Sequence, residues 1–112
     1  MAAKSMKYGN RKTVVDGITF DSLKEASRYK DLKIMERSGQ ISMLTLQPKF
    51  TLVTSQRNAD GKTERPVVYI GDFLYQENGH WIIEDVKGMK TPEYVIKRKL
   101  MLERHGITVR EI

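Results

Sequence analysis

Val67-Val68-Tyr69-Ile70-Gly71-Asp72-Phe73-Leu74-Tyr75, then Gln76-Glu77-Asn78-Gly79-His80, then Trp81-Ile82-Ile83-Glu84-Asp85-Val86-Lys87 is the stretch that decides the fold. Two apolar runs flank Asn-Gly, the dipeptide that most strongly signals a two-residue primed turn. Such a turn sets the register of the hairpin. Glu77 then faces His80, Tyr75 faces Ile82, and Asp72 is expected directly opposite Asp85. Facing residues in an antiparallel pair share a side of the sheet, with Cβ atoms roughly 4.5–5.5 Å apart. Two carboxylates so placed repel each other, so a positive charge is expected between them. Lys87 lies two residues beyond Asp85, on the same face by strand alternation. Glu84 points to the other face and is not expected to join them.

The first run, Val67 to Tyr75, is almost continuously apolar and reads as one central strand covered on both sides. Upstream, Val14-Val15-Asp16-Gly17-Ile18-Thr19-Phe20 reads as a small hairpin around Asp-Gly. Asp21-Ser22 opens a helix to about Ser38, stopped by Gly39, with Ala26, Tyr29 and Leu32 as its apolar stripe and Met35 extending it. Residues 41–54 are strand-like, and Pro48 among them marks an edge or a bulge. Residues 55–65 are polar and turn-rich and read as a loop. After Gly88-Met89-Lys90, Thr91-Pro92-Glu93 supplies a cap, a first-turn proline and an early acid, starting a helix that ends near His105-Gly106. Its apolar residues spread over more than one face. Ile107 to Ile112 alternates as a last strand, and the closing strand–helix–strand unit is expected to form a parallel crossover. The expected class is α/β, an α+β mixed sheet in the order helix, three-strand meander, helix, strand. Residues 1–13 read as a flexible basic arm and 14–112 as one domain.

Composition narrows the function. The chain has 112 residues, 39% hydrophobic and 30% charged, which suits one packed domain. Lysine and arginine outnumber acids 20 to 14, for a net charge of +6, which favours a polyanionic partner such as nucleic acid. With no cysteine, disulfides, thiolate zinc sites and thiol catalysis are excluded, and two separated histidines argue against a histidine metal cluster. Nothing in the first residues resembles a secretory signal and no run is long enough to span a bilayer, so a cytoplasmic location is expected.

The element order, with Gly71-Asp72 and Asp85-Val86-Lys87, resembles the PD-(D/E)XK nuclease superfamily over about residues 14–112. Val15 to Ser22, Leu46-Gln47-Pro48-Lys49-Phe50 and Tyr69 to Phe73 also resemble a small phage-borne family within it. The resemblance implies a restriction-endonuclease-like core and a metal-dependent DNA endonuclease or nickase of phage or mobile-element origin, acting at structures such as branched junctions. Asp72, Asp85 and the Val86 carbonyl are then expected to hold Mg²⁺ or Mn²⁺, hard ions that prefer oxygen. Lys87 is expected to position or deprotonate the attacking water and to stabilise charge on the phosphate.

Glu25 is open between two roles. It falls within the apolar stripe of the first helix, where superfamily members bring a third acid. It also completes a Ser22-x-x-Glu25 capping box. Gln47 resembles a glutamine found near the site in some relatives, or else satisfies a backbone group at a bulge. Lys90, Lys97, Arg98, Lys99 and Arg104, with Lys7, Arg11 and Lys12 of the arm, are the expected DNA contacts. Trp81 and Tyr94 are expected in the core. The rival classes are a non-catalytic DNA-binding module on the same fold and a protein-interaction subunit that modulates a host nuclease. A homodimer would serve a two-strand cut, though the sequence marks no interface for one.

Overall fold

Each hairpin begins at its turn. In the computed structural model, which describes residues 11–86 and 90–112, Asp16 and Gly17 have φ of 53° and 77°, and Asn78 and Gly79 have φ of 53° and 79°. These are the positive values that a primed turn demands at both central positions. The first turn joins β1 (Thr13–Val15) to β2 (Ile18–Phe20), and the second joins β8 (Phe73–Glu77) to β9 (His80–Asp85). Both expected hairpins are present.

By its contacts the chain divides into two compact units at Leu44/Thr45. The N-terminal unit holds the β1–β2 hairpin and α1 (Leu23–Arg37), capped by Ser22, whose hydroxyl accepts the Glu25 N–H at 3.1 Å. Ala26, Tyr29 and Leu32 are buried as the stripe requires, while Met35 is only half-buried. Phe20 is buried with its ring 5.0 Å from that of Tyr29, whose hydroxyl donates to Asp16. β3 (Ser42–Leu46) carries the chain across the division.

The C-terminal unit continues with β4 (Lys49–Val53), the short β5 (Gln56–Arg57) and β6 (Thr63–Glu64), β7 (Val67–Ile70), then β8, β9, α2 (Pro92–His105) and β10 (Val109–Glu111). Within residues 55–65, expected as a plain loop, β5 and β6 form a two-pair ladder whose turn is organised by the Asn58 side chain, which accepts the N–H groups of Asp60 and Lys62. The main sheet runs β10-β9-β8-β3. β10 lies parallel to β9, with Val109, Arg110 and Glu111 beside Ile83, Glu84 and Asp85. α2 is therefore the crossover of a parallel strand–helix–strand unit, as expected.

One expectation fails here. Val67 to Tyr75 is not a single strand. β7 pairs antiparallel with β4, whereas β8 belongs to the main sheet, and the chain changes sheet at Gly71-Asp72. The interruption is anchored from a distance. The Gly71 N–H donates to the Pro48 carbonyl and the Gln47 N–H donates to the Asp72 carbonyl, each at 3.0 Å. Gln47 itself has φ of 50°, so the break between β3 and β4 fits against the break between β7 and β8.

Leu52, Tyr69, Ile83, Tyr94, Met101 and Val109 form the core of this unit. A fully buried aliphatic or aromatic side chain contributes roughly 1.5–3 kcal/mol. α2 turns Tyr94 and Met101 into that core and leaves Ile96 and Leu102 more than half exposed, which resolves the face that periodicity left undecided. Trp81, expected in the core, is 40% exposed because it sits near the turn on the outer end of β9.

Candidate metal and phosphate site

Working back from the Asn78–Gly79 turn, the predicted register holds for each pair from Glu77–His80 to Phe73–Glu84. There it ends. The Asp72 N–H donates to the Glu84 carbonyl at 3.0 Å, although the register partner of Glu84 is Phe73. Two residues address one, the count of a β-bulge. The expected direct opposition of Asp72 and Asp85 is thereby corrected: Asp72 lies off the ladder. Its Oδ2 instead accepts the backbone N–H of Val86 at 2.6 Å. The bulge lets a side-chain oxygen take the amide that follows Asp85, and this ties the two motif segments together.

Asp85 ends β9, 2% exposed. A buried carboxylate needs donors, and Tyr69 supplies one, its hydroxyl meeting Asp85 Oδ2 at 2.5 Å. Burial, then the bond to Asp85, then the charges of Asp85, Tyr94 and Asp72 push the Tyr69 phenol far above the ordinary tyrosine range. Tyr69 thus senses both acids.

The parallel strand brings in a third carboxylate. Glu111 is the register partner of Asp85 and shares its face of the sheet. Glu111 Oε2 accepts from Tyr94 Oη and from Arg98 Nη1, and Oε1 accepts from Lys90 Nζ, each at 2.8 Å. These partners, Lys90 foremost, hold the Glu111 carboxyl down at about 2. Burial, the bond to Glu111 and the charge of Asp85 raise Tyr94, against a smaller opposing effect of Arg98.

Glu84 occupies the other face, as alternation demands. It is fully buried and accepts the Tyr75 hydroxyl at 2.5 Å, and Arg110 Nη1 donates to that hydroxyl at 3.1 Å. Two adjacent acids therefore serve two separate networks.

The other predicted residues fall as follows. Lys87 lies outside the described residues, as does Lys7. Val86 is placed by its N–H on Asp72. Glu25 stands in the first turn of α1 in the N-terminal unit, with the Ser22 half of the capping box made. Gln47 meets Asp72 through its backbone amide. Of the DNA candidates, Lys90 and Arg98 bind Glu111, Lys97 pairs with Glu93 at 3.1 Å, and Arg104 stands 3.8 Å from Glu103. Lys99 and Arg11 are exposed, and Lys12 reaches Asp21 at 3.1 Å. The sequence reading missed Tyr69, Glu111 and the lining of a groove of about 330 Å³ formed by Val68, Tyr69, Ile70, Thr91, Tyr94 and Lys97 with Glu93. Tyrosine in a strand looks like ordinary core, and no turn fixes the register of a parallel partner.

Among the described residues, no three histidine or acidic side chains group as a metal-binding set. No helix is long and apolar enough to cross a membrane. The model of the family described as protein of unknown function, DUF1064, matches residues 5–110. The chain belongs to this family. No curated protein matches it. For this DUF1064 chain, therefore, the match covers both motif segments with Tyr69, Tyr94 and Arg98, stops one residue short of Glu111, and assigns none of them a role.

Proposed function

We propose that this DUF1064 chain is a divalent-metal-dependent DNA endonuclease or nickase with a PD-(D/E)XK-type core. The observation that carries the reading is the bond between the Asp72 carboxylate and the Val86 N–H. It unites the acid of one motif segment with the residue that follows the acid of the other. The parallel strand after α2 is consistent with the order of such a core, and the surplus of basic residues suits a polyanionic substrate.

The donor chemistry fits a hard ion. Asp72, Asp85 and the Val86 carbonyl are oxygen donors, the kind that Mg²⁺ and Mn²⁺ select over nitrogen or sulfur. A carboxylate offers roughly four lone-pair sites, more than the single bond from Val86 uses on Asp72 or the single bond from Tyr69 uses on Asp85. A bound ion would supply Lewis acidity toward a phosphodiester and a more acidic bound water. The chain's own contribution is placement. Tyr69 orients Asp85, the Val86 amide orients Asp72, and burial keeps competing water from Asp85. Lys87, next in the motif, is proposed to position the attacking water and stabilise charge on the phosphate.

The test is cleavage of supercoiled, linear, branched and single-stranded DNA with Mg²⁺, Mn²⁺ or EDTA. Metal-dependent nicking by the wild type, abolished in Asp72→Ala and Asp85→Ala, is expected. Equal nicking by all three proteins would sink the proposal, and binding without cleavage of any substrate would point to a DNA-binding module. Lys87→Ala is expected to lose turnover while calorimetry shows metal binding retained.

A further inference from the structure

Three hydrogen-bond donors, all from α2 and the segment just before it, converge on the Glu111 carboxylate. Lys90 Nζ comes from the segment before α2, Tyr94 Oη from its first turn and Arg98 Nη1 from the next, each at 2.8 Å. The Arg98 guanidinium also lies 6.0 Å from the centre of the Tyr94 ring. A lysine, a guanidinium and a phenol arranged around one anion form a donor set that suits a phosphate oxygen as well as a carboxylate. Two cations, Lys90 and Arg98, contact the Glu111 carboxylate directly, and Asp85 stands beside it as its register partner. The cluster also opens to solvent, with side-chain exposures of 57% at Lys90, 32% at Arg98 and 24% at Glu111. Glu111 lies at the last position of β10.

We propose that Glu111 is a built-in stand-in for phosphate: Lys90, Tyr94 and Arg98 form an anion site that takes a phosphate group when the Glu111 side chain swings out. In the resting chain Glu111 blocks the site, so phosphate must compete with a tethered carboxylate. Because Glu111 is the register partner of Asp85, a phosphate held there lies beside the proposed metal site. The inference stands on the donor geometry and does not require cleavage.

The test uses the full chain in EDTA at low ionic strength, where charge interactions are least screened. Calorimetry with inorganic phosphate, and then with a short single-stranded oligonucleotide, compares wild type, Glu111→Gln, Glu111→Ala and the double variant Glu111→Ala/Arg98→Met. Phosphate is expected to bind about tenfold more tightly to the two Glu111 variants than to wild type, a difference of about 1.4 kcal/mol, and the double variant is expected to lose the gain. A matching gain for the oligonucleotide assigns the site to a nucleic-acid backbone, and a gain for phosphate alone assigns it to a free phosphate or monoester. No gain in either folded Glu111 variant overturns the proposal. Failure of both to fold also overturns it, because Glu111 is then a structural tie. Since these measurements exclude metal, a failure here and a failure of DNA cleavage are separate results.

Discussion

Tyr69 donates its hydroxyl to Asp85 at 2.5 Å, and both residues are nearly sealed from solvent, at 3% and 2% exposure. A strand outside the main sheet thereby orients the acid that ends the sheet's central hairpin. Tyr69→Phe keeps the ring's packing but removes a donor from a buried carboxylate. It is expected to cost about 1–3 kcal/mol, the usual penalty for leaving such a group short of a partner, measured by urea denaturation at neutral pH.

The same burial makes tyrosine ionisation a reporter of unfolding. Tyr29, Tyr69 and Tyr94 are all held above the ordinary range, each chiefly by desolvation. A group whose folded pKa is raised stabilises fully below its unfolded value, about 10 for tyrosine, and loses that contribution as pH climbs toward the folded value. Stability should therefore fall above pH about 10. Absorbance near 295 nm (roughly the phenolate band) should show Tyr69 and Tyr94 ionising only together with loss of the fold. Smooth titration of all five tyrosines with the circular dichroism unchanged would contradict this.

Glu111 gives the opposite sign. Its folded carboxyl sits at about 2, against an ordinary 4.5. A lowered folded pKa stabilises above the unfolded value, and the contribution disappears as pH falls through the folded one. Between pH 4.5 and about 2 the wild type should lose stability more steeply than Glu111→Gln, which has no proton to take up there. Urea midpoints across that window measure the difference.

Gly71 leaves no room for a side chain unless a neighbour moves. A Cβ there would stand 2.8 Å from Ile83 Cγ2 and 3.4 Å from the Tyr69 ring and hydroxyl. Gly71→Ala is expected to cost about 1–3 kcal/mol through overpacking. In an Ile83→Ala background the added cost should shrink, because the clashing methyl is gone. A double-mutant cycle that returned simple additivity would locate the strain elsewhere.

Asp85 and Glu84 should separate cleanly. Asp85→Asn is expected to abolish Mn²⁺ binding in calorimetry. Glu84→Gln, on the opposite face with Tyr75, should leave metal binding unchanged and lower stability. Destabilisation by about 1–3 kcal/mol is expected when a buried charged acceptor is altered.

Local chemistry was legible from the start. Asn78-Gly79 and Asp16-Gly17 announced their turns, Ser22 and Thr91 their helix caps, and Ala26, Tyr29 and Leu32 their buried stripe, because each depends on neighbours within a few residues. The opposite orientations of Glu84 and Asp85 followed from alternation alone. What failed depended on distant partners. Val67 to Tyr75 looked like one strand because every residue in it suits a strand. Only the amide and carbonyl groups of Gln47 and Pro48 reveal the break at Gly71-Asp72. The basic residues Lys90 and Arg98 looked available to DNA, since no sequence spacing shows that Glu111 folds back between them.

Neighbours in the sequence were enough to set the hairpin, its register as far as Phe73 and Glu84, and the opposite faces of Glu84 and Asp85. Only the tertiary structure decided that Asp72 turns to the Val86 amide, that Tyr69 holds Asp85, and that Glu111 comes to rest beside them. The physical reason is range. A turn sets the register of the strands it joins, whereas a bulge and a parallel partner are set by packing between residues 14 or more positions apart.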